Sequence, residues 1–238
     1  MKIQKTRYSF EILIKESSER AQKKQKEYLL YDDIMVLIVN TMPEDIDIKY
    51  CLKKIRETIP FHFVYGLDSI FVGHFPEFDE KQINAFYKDG AIYVTNNQVN
   101  DDDFIDDIVH EMAHLVEKTY GAEIYGDQKV VREFLGKRQK LFYLLKGEGL
   151  KVDPKYFMHP DYSYEFDMFL FKNVGYPLLT QLTVGLFVSP YGVTSLAEYF
   201  AESFEFYFLK DRDLVKNTTP ECFKKIKELE TSEEFRGL

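Results

Sequence analysis

The chain has 238 residues, 45% of them hydrophobic and 16% aromatic, with 21 Phe, 17 Tyr and no Trp. That is enough to bury a Phe- and Tyr-rich core in one large domain, or in one domain with an elaboration. A formal net charge of −9 argues against sequence-independent binding to nucleic acid or anionic lipid, and two distant cysteines, Cys51 and Cys222, form neither a disulfide framework nor a C-x-x-C metal pair.

The N-terminal residues mix charged and apolar side chains without the continuous apolar stretch of a secretion signal. Residues 15–27 are densely charged and read as an exposed helix or a partly disordered arm. Ile34–Val39 is the longest plain apolar run, a buried strand far too short to span a bilayer. These features, with the cysteine usage, suggest a cytoplasmic protein without membrane partners, with a virion or phage-infected cell as the alternative. Pro43 opens a helix with Ile46, Ile48, Cys51, Leu52, Ile55 and Ile59 on its inner face, and Pro60 ends it. Phe61–Gly73 alternates as one strand, or as two with a turn at Gly66. Pro76–Phe86 is a loop with a short helical piece, Asp89-Gly90 a turn, and Ala91–Thr95 a strand.

A helix over about 103–119 follows. Asp101, Asp102 and Asp103 are N-cap candidates, Phe104, Ile105, Ile108, Val109, Met112, Leu115 and Val116 form its inner face, and Gly121 is a stop. Within it lies His110-Glu111-Met112-Ala113-His114. Two imidazoles four positions apart on a helix differ by about 40° in direction and about 6 Å along the axis, so both can meet one zinc ion. Glu111 is then placed as general base toward a water at that ion. Histidines that merely hydrogen-bond inside a core are the plainer reading of the same spacing. His62 and His74, in or near strands, read as structural or exposed, and His159 as a loop residue.

Beyond the motif the pattern gives a helix over about 128–147, a loop-like stretch over 148–164, and helices over Tyr164–Asn173 and Leu178–Phe187. A turn at Ser189-Pro190-Tyr191-Gly192, a last strong helix Leu196–Leu209 and a softer charged tail complete it. The predicted organisation is a charged arm (1–30), an α/β subdomain with the histidine helix (31–124), a helical insertion (125–188), and a glutamate helix with its tail (189–238).

A catalytic zinc takes three protein ligands and keeps one position open. Helix 196–209 is apolar almost all round, yet carries Glu198 and Glu202 one turn apart. Buried carboxylates need a partner, and a cation held by two histidines is one. Glu198 can ligate while Glu202 accepts the far N–H of a ligating ring. Spacing alone also permits Glu202 as the ligand, and Ser195-x-x-Glu198 is equally a capping box. Glu205 reads as a solvated residue on the outer edge.

Taken together, His110-Glu111-x-x-His114 and Tyr191-(six residues)-Glu198-Tyr199-Phe200-Ala201-Glu202-Ser203-Phe204 resemble the metalloprotease domain of anthrax toxin lethal factor and the related Pro-Pro endopeptidases, which are gluzincins. The resemblance implies an α+β, zincin-like fold: a small mixed β-sheet packed on the histidine helix, and a helical C-terminal subdomain carrying the third ligand. It implies that His110, His114 and Glu198 bind one catalytic Zn(2+), with Glu111 as base, Tyr191 as donor to the oxyanion and Glu202 behind the ligands. It departs from the family in the 88 positions between His110 and Glu198, longer than in compact members, and in lacking an export signal. The expected activity is hydrolysis of a peptide or protein substrate. Ala91, Ile92, Tyr93 and Val94 are expected beside the cleft, as an edge strand that binds extended peptide through its main chain; an ordinary sheet strand without a ligand role is the simpler reading. The alternatives are zinc hydrolysis of a non-peptide amide, or a zinc-stapled structural or assembly protein without catalysis. Nothing in the sequence signals an oligomeric state.

Overall fold

The computed structural model describes residues 26–81 and 83–232. Most of the predicted charged arm lies outside the described residues. Its last five residues, however, are strand β1 (Lys26–Leu30). The described chain is mixed α+β and separates into two compact units: one holds the residues up to Arg56 and Gly66–Ile108, the other Glu57–Tyr65 and Val109 onward. Among the described residues no helix is long and apolar enough to cross a membrane.

The first unit contains β1, β2 (Ile34–Ile38), α1 (Ile48–Thr58) as far as Arg56, β3 (Ser69–Gly73), α2 (Pro76–Lys81), β4 (Ala85–Lys88), β5 (Ala91–Thr95) and the opening turns of α3 (Asp101–Tyr125). The sheet is mixed, in the order β1-β2-β3-β5-β4, with parallel pairs at β2/β3 and β3/β5 and antiparallel pairs at both margins. Period-two alternation places β-branched residues in register across it: Val36 opposite Ile70 opposite Ile92, and Ile38 opposite Val72 opposite Val94. All six are buried. Beside them aromatics of adjacent strands stack, Tyr93 lying 5.2 Å from Phe71 and 4.7 Å from Phe86 between ring centroids. Asp89 and Gly90 both take positive φ, 50° and 85°, the backbone of a tight two-residue hairpin that folds β4 onto β5. α1 starts five residues later than Pro43 suggests, and Asn100, not an aspartate, caps α3 by accepting from the Asp103 amide at 2.9 Å.

The second unit is helical: α3 from Val109, α4 (Lys129–Gly147), α5 (Tyr164–Phe169), α6 (Tyr176–Thr183), α7 (Leu196–Glu205), α8 (Arg212–Thr218) and α9 (Pro220–Thr231). Gly121 does not end α3; Tyr120 breaks its regularity at φ −113°, ψ 25°, and the helix resumes to Tyr125. Phe61–Val64 is a single 3-10 turn rather than a strand, because Tyr120 Oη–H reaches the His62 carbonyl at 3.1 Å and Phe63 is buried beneath Phe204 and Phe208. His62 is itself buried, with Nε2 3.1 Å from the Leu229 carbonyl. The expected soft tail is instead two ordered helices. Cys222, Ile226 and Leu229 recur at helical spacing and are all buried. Nor is the insertion separate. Phe134 of α4 packs on Tyr199 of α7 at 5.2 Å and on Phe187 at 6.4 Å. The compact units divide instead between Arg56 and Glu57, between Tyr65 and Gly66, and between Ile108 and Val109.

Candidate metal centre

Every group of the centre belongs to the second unit. α3 presents His110, Glu111 and His114, whose ligand atoms lie within 4.8 Å of one another. α7 brings Glu198 to the same place. Ser195 caps α7, its hydroxyl accepting from the Glu198 amide at 3.1 Å, so half of the capping box is real. The Glu198 carboxylate, however, is aimed at the histidines. Its Oε2 lies 2.9 Å from His110 Nε2 and its Oε1 3.7 Å from His114 Nε2. Donors held tetrahedrally at about 2.0–2.1 Å from zinc sit about 3.3 Å apart. The two separations bracket that value, and two imidazoles with one carboxylate are a suitable donor set for zinc.

The far side of each ring fixes which nitrogen faces inward. His110 Nδ1 lies 3.3 Å from Glu205 Oε2 and 3.6 Å from Glu202 Oε1; His114 Nδ1 lies 3.6 Å from Glu117 Oε2. Carboxylates at both Nδ1 atoms favour protons there and leave the Nε2 lone pairs for a cation. The carboxylates are themselves held. Lys210 Nζ donates to Glu205 Oε1 at 2.6 Å, and Tyr125 Oη–H to Glu117 Oε1 at 2.6 Å. Glu205 is thus a correction: not solvated, but buried, and closer to His110 than Glu202 is. The π-helical segment Phe206–Lys210 directly after α7 carries Lys210, the cation that pairs with it. The available signal was the series 198, 202, 205, which lies on one helical face.

Electrostatics follow from the crowding. Burial alone depresses His110, but hydrogen bonds to Glu198 and Glu205 override it and raise its pKa well above the usual 6.5. His114 is also raised, burial being outweighed by Glu117 and Glu198. Burial would raise Glu198, yet the two histidines hold it below the usual carboxylate range. Glu202, pushed to about 7 by burial and by Glu205, is the carboxyl that takes a proton. Glu205 stays ionised: burial raises it, but His110 and Lys210 bring it down.

Tyr191 opens a 3-10 turn (Tyr191–Val193) just before α7, its ring 6.3 Å from that of His110. Burial and then Glu198 raise its phenol, which therefore remains a proton donor. Ala91, Ile92, Tyr93 and Val94 do not form a sheet edge. β5 is hydrogen-bonded on both sides, to β3 and β4, and has no main-chain groups left for an added peptide strand. His74 and Asp79 form an exposed pair at 3.2 Å remote in character from a ligand set. No family model, no curated protein and no solved structure matches this chain.

Proposed function

We propose that the chain is a zinc-dependent endopeptidase of zincin-like fold, with His110, His114 and Glu198 as ligands. The observation that carries this reading is the Glu198 carboxylate set between two Nε2 atoms, one oxygen toward each, with Glu111 grouped with the same two histidines. Zinc held there supplies a Lewis acid and brings the pKa of water to about 7. Glu111 accepts the proton of the attacking water and returns it to the leaving amine. The protonated Tyr191 phenol donates to the oxyanion of the tetrahedral intermediate. Glu205 and Glu117 hold the two rings in orientation through Nδ1.

A structural zinc staple has no use for a carboxylic base next to the first ligand. The test is a peptide-library cleavage screen with zinc-loaded parent and Glu111→Gln. The parent is expected to cleave, and the variant to keep one zinc per chain while losing cleavage. Equal cleavage by both removes Glu111 as base; zinc binding without cleavage by either favours the staple.

A further inference from the structure

Arg138 is the one large charged side chain among the fully buried residues of the described chain, 1% exposed in the middle of α4. A buried guanidinium is costly unless its donors are met. Here the hydrogen bonds found for it all end on main-chain carbonyls. Nε–H donates to Val193 O at 3.0 Å, one terminal N–H group to Thr194 O at 3.2 Å, and the other to His159 O. Its planar head lies over the Phe166 ring at 4.5 Å and the Phe134 ring at 4.9 Å, sealing it from water. Burial lowers its pKa to about 10, so it remains a cation at neutral pH.

Two stretches of main chain, at 159 and at 193–194, therefore converge on one cation. Val193 and Thr194 complete the turn that Tyr191 opens, and the same turn is closed by Thr194 N–H to Tyr191 O at 3.0 Å. His159 precedes Pro160, whose carbonyl accepts from the Leu196 amide at 2.7 Å at the start of α7. α7 has independent anchors, namely its Ser195 cap and the buried Tyr199, Phe200 and Phe204. The Tyr191 turn is three residues long, packs Gly192 against Tyr199 and Glu202 of α7 and buries Val193, and its last carbonyls, Val193 O and Thr194 O, are the ones Arg138 holds.

We infer that Arg138 is a positioning residue: from within the segment that looks like a dispensable insertion, its guanidinium ties the 159 loop to the 193–194 carbonyls and so sets the place of the Tyr191 phenol. Its kinetic consequence rests on the peptidase reading; its structural consequence does not. The prescribed fork of five N–H donors is something lysine cannot supply. The insertion is then a wall of the site, and its removal dismantles the oxyanion donor.

The experiment compares the full chain with Arg138→Lys, Arg138→Met, Tyr191→Phe and the double variant Arg138→Met/Tyr191→Phe. Hydrogen exchange of the amides of 192–194 is read beside exchange of residues 104–119 in α3. In Arg138→Met, residues 192–194 are expected to exchange at least tenfold faster, with α3 unchanged and one zinc still bound; Arg138→Lys should fall between. In the cleavage assay, Arg138→Met is expected to lower kcat with KM nearly constant, and the double variant to be no slower than the slower single one. Unchanged protection at 192–194, or multiplicative losses in the double variant, overturns the inference. If Arg138→Met does not fold, Arg138→Lys carries the same test. If no variant cleaves any peptide, the peptidase reading fails, and the exchange data still decide the role of Arg138.

Discussion

Glu205→Gln separates the two carboxylates that face His110 Nδ1. In the parent, Glu205 Oε2 lies at 3.3 Å within hydrogen-bond geometry and Glu202 Oε1 at 3.6 Å. Glu205 is 6% exposed, so its bond to the ring is made in a poorly hydrated place, where charge-assisted bonds contribute about 1.5–3 kcal/mol. The amide keeps the shape and an acceptor oxygen but loses the charge that makes the ring a better donor to a cation. Loss of such a partner weakens metal binding about 10- to 100-fold, or about 1.4–2.8 kcal/mol. Lys210 loses its ion pair with Glu205, but its side chain is 38% exposed and water replaces the carboxylate cheaply. Zinc competition titration against a chromophoric chelator measures the affinity, with urea unfolding of the metal-free protein as control. Glu205→Gln is expected to bind zinc at least tenfold more weakly, and Glu202→Gln, whose parent carboxyl already takes up a proton near neutral pH, much less so. The reverse ranking, or a Glu205→Gln affinity within twofold of the parent, refutes the assignment of Glu205 as the carboxylate that orients His110.

Because His110 is raised well above 6.5 in the metal-free protein, zinc must displace a proton from it. Apparent zinc affinity should climb with pH by up to about tenfold per unit per proton released, then level off above the raised pKa; calorimetry in buffers of different ionisation enthalpy counts the protons. The same raised pKa gives the metal-free protein stability that is fully present below about 6.5 and lost as pH rises through the His110 value, a loss that urea unfolding of chelator-treated protein should record. Chelation at fixed pH should destabilise the protein by about 4 kcal/mol relative to zinc held at a thousandfold over its dissociation constant, read as a lower unfolding midpoint. Ile226→Ala, in the helix that sequence patterning reads as tail, should cost about 2–5 kcal/mol in urea unfolding, because the side chain is fully buried; a cost below about 0.5 kcal/mol returns that segment to a peripheral role.

What was legible in the sequence was what lies on one turn of helix. His110, Glu111 and His114 depend only on local periodicity, and Glu198 stood out as a carboxylate in an otherwise apolar helix. The strands Ile34–Ile38 and Ala91–Thr95 were equally plain from β-branched alternation. What failed depended on neighbours. That β5 is interior follows from β4 folding back across Asp89-Gly90, a pairing that no residue of β5 encodes. Glu205 was misplaced because a lone charged residue is by default turned outward, and its partner Lys210 reaches back only through a π-helical turn. The burial of α9 was hidden because Cys222, Ile226 and Leu229 are diluted among seven charged or polar positions, and only packing shows that these apolar residues suffice.

The most direct measurement is zinc K-edge X-ray absorption on protein carrying one zinc per chain, compared with Glu198→Ala. Two imidazole nitrogens and two oxygens at about 2.0–2.1 Å are expected in the parent, with one imidazole-independent oxygen scatterer altered and affinity lost in the variant. A spectrum of the parent with one imidazole or none, or one that Glu198→Ala leaves unchanged in both shell and affinity, contradicts a centre built by His110, His114 and Glu198.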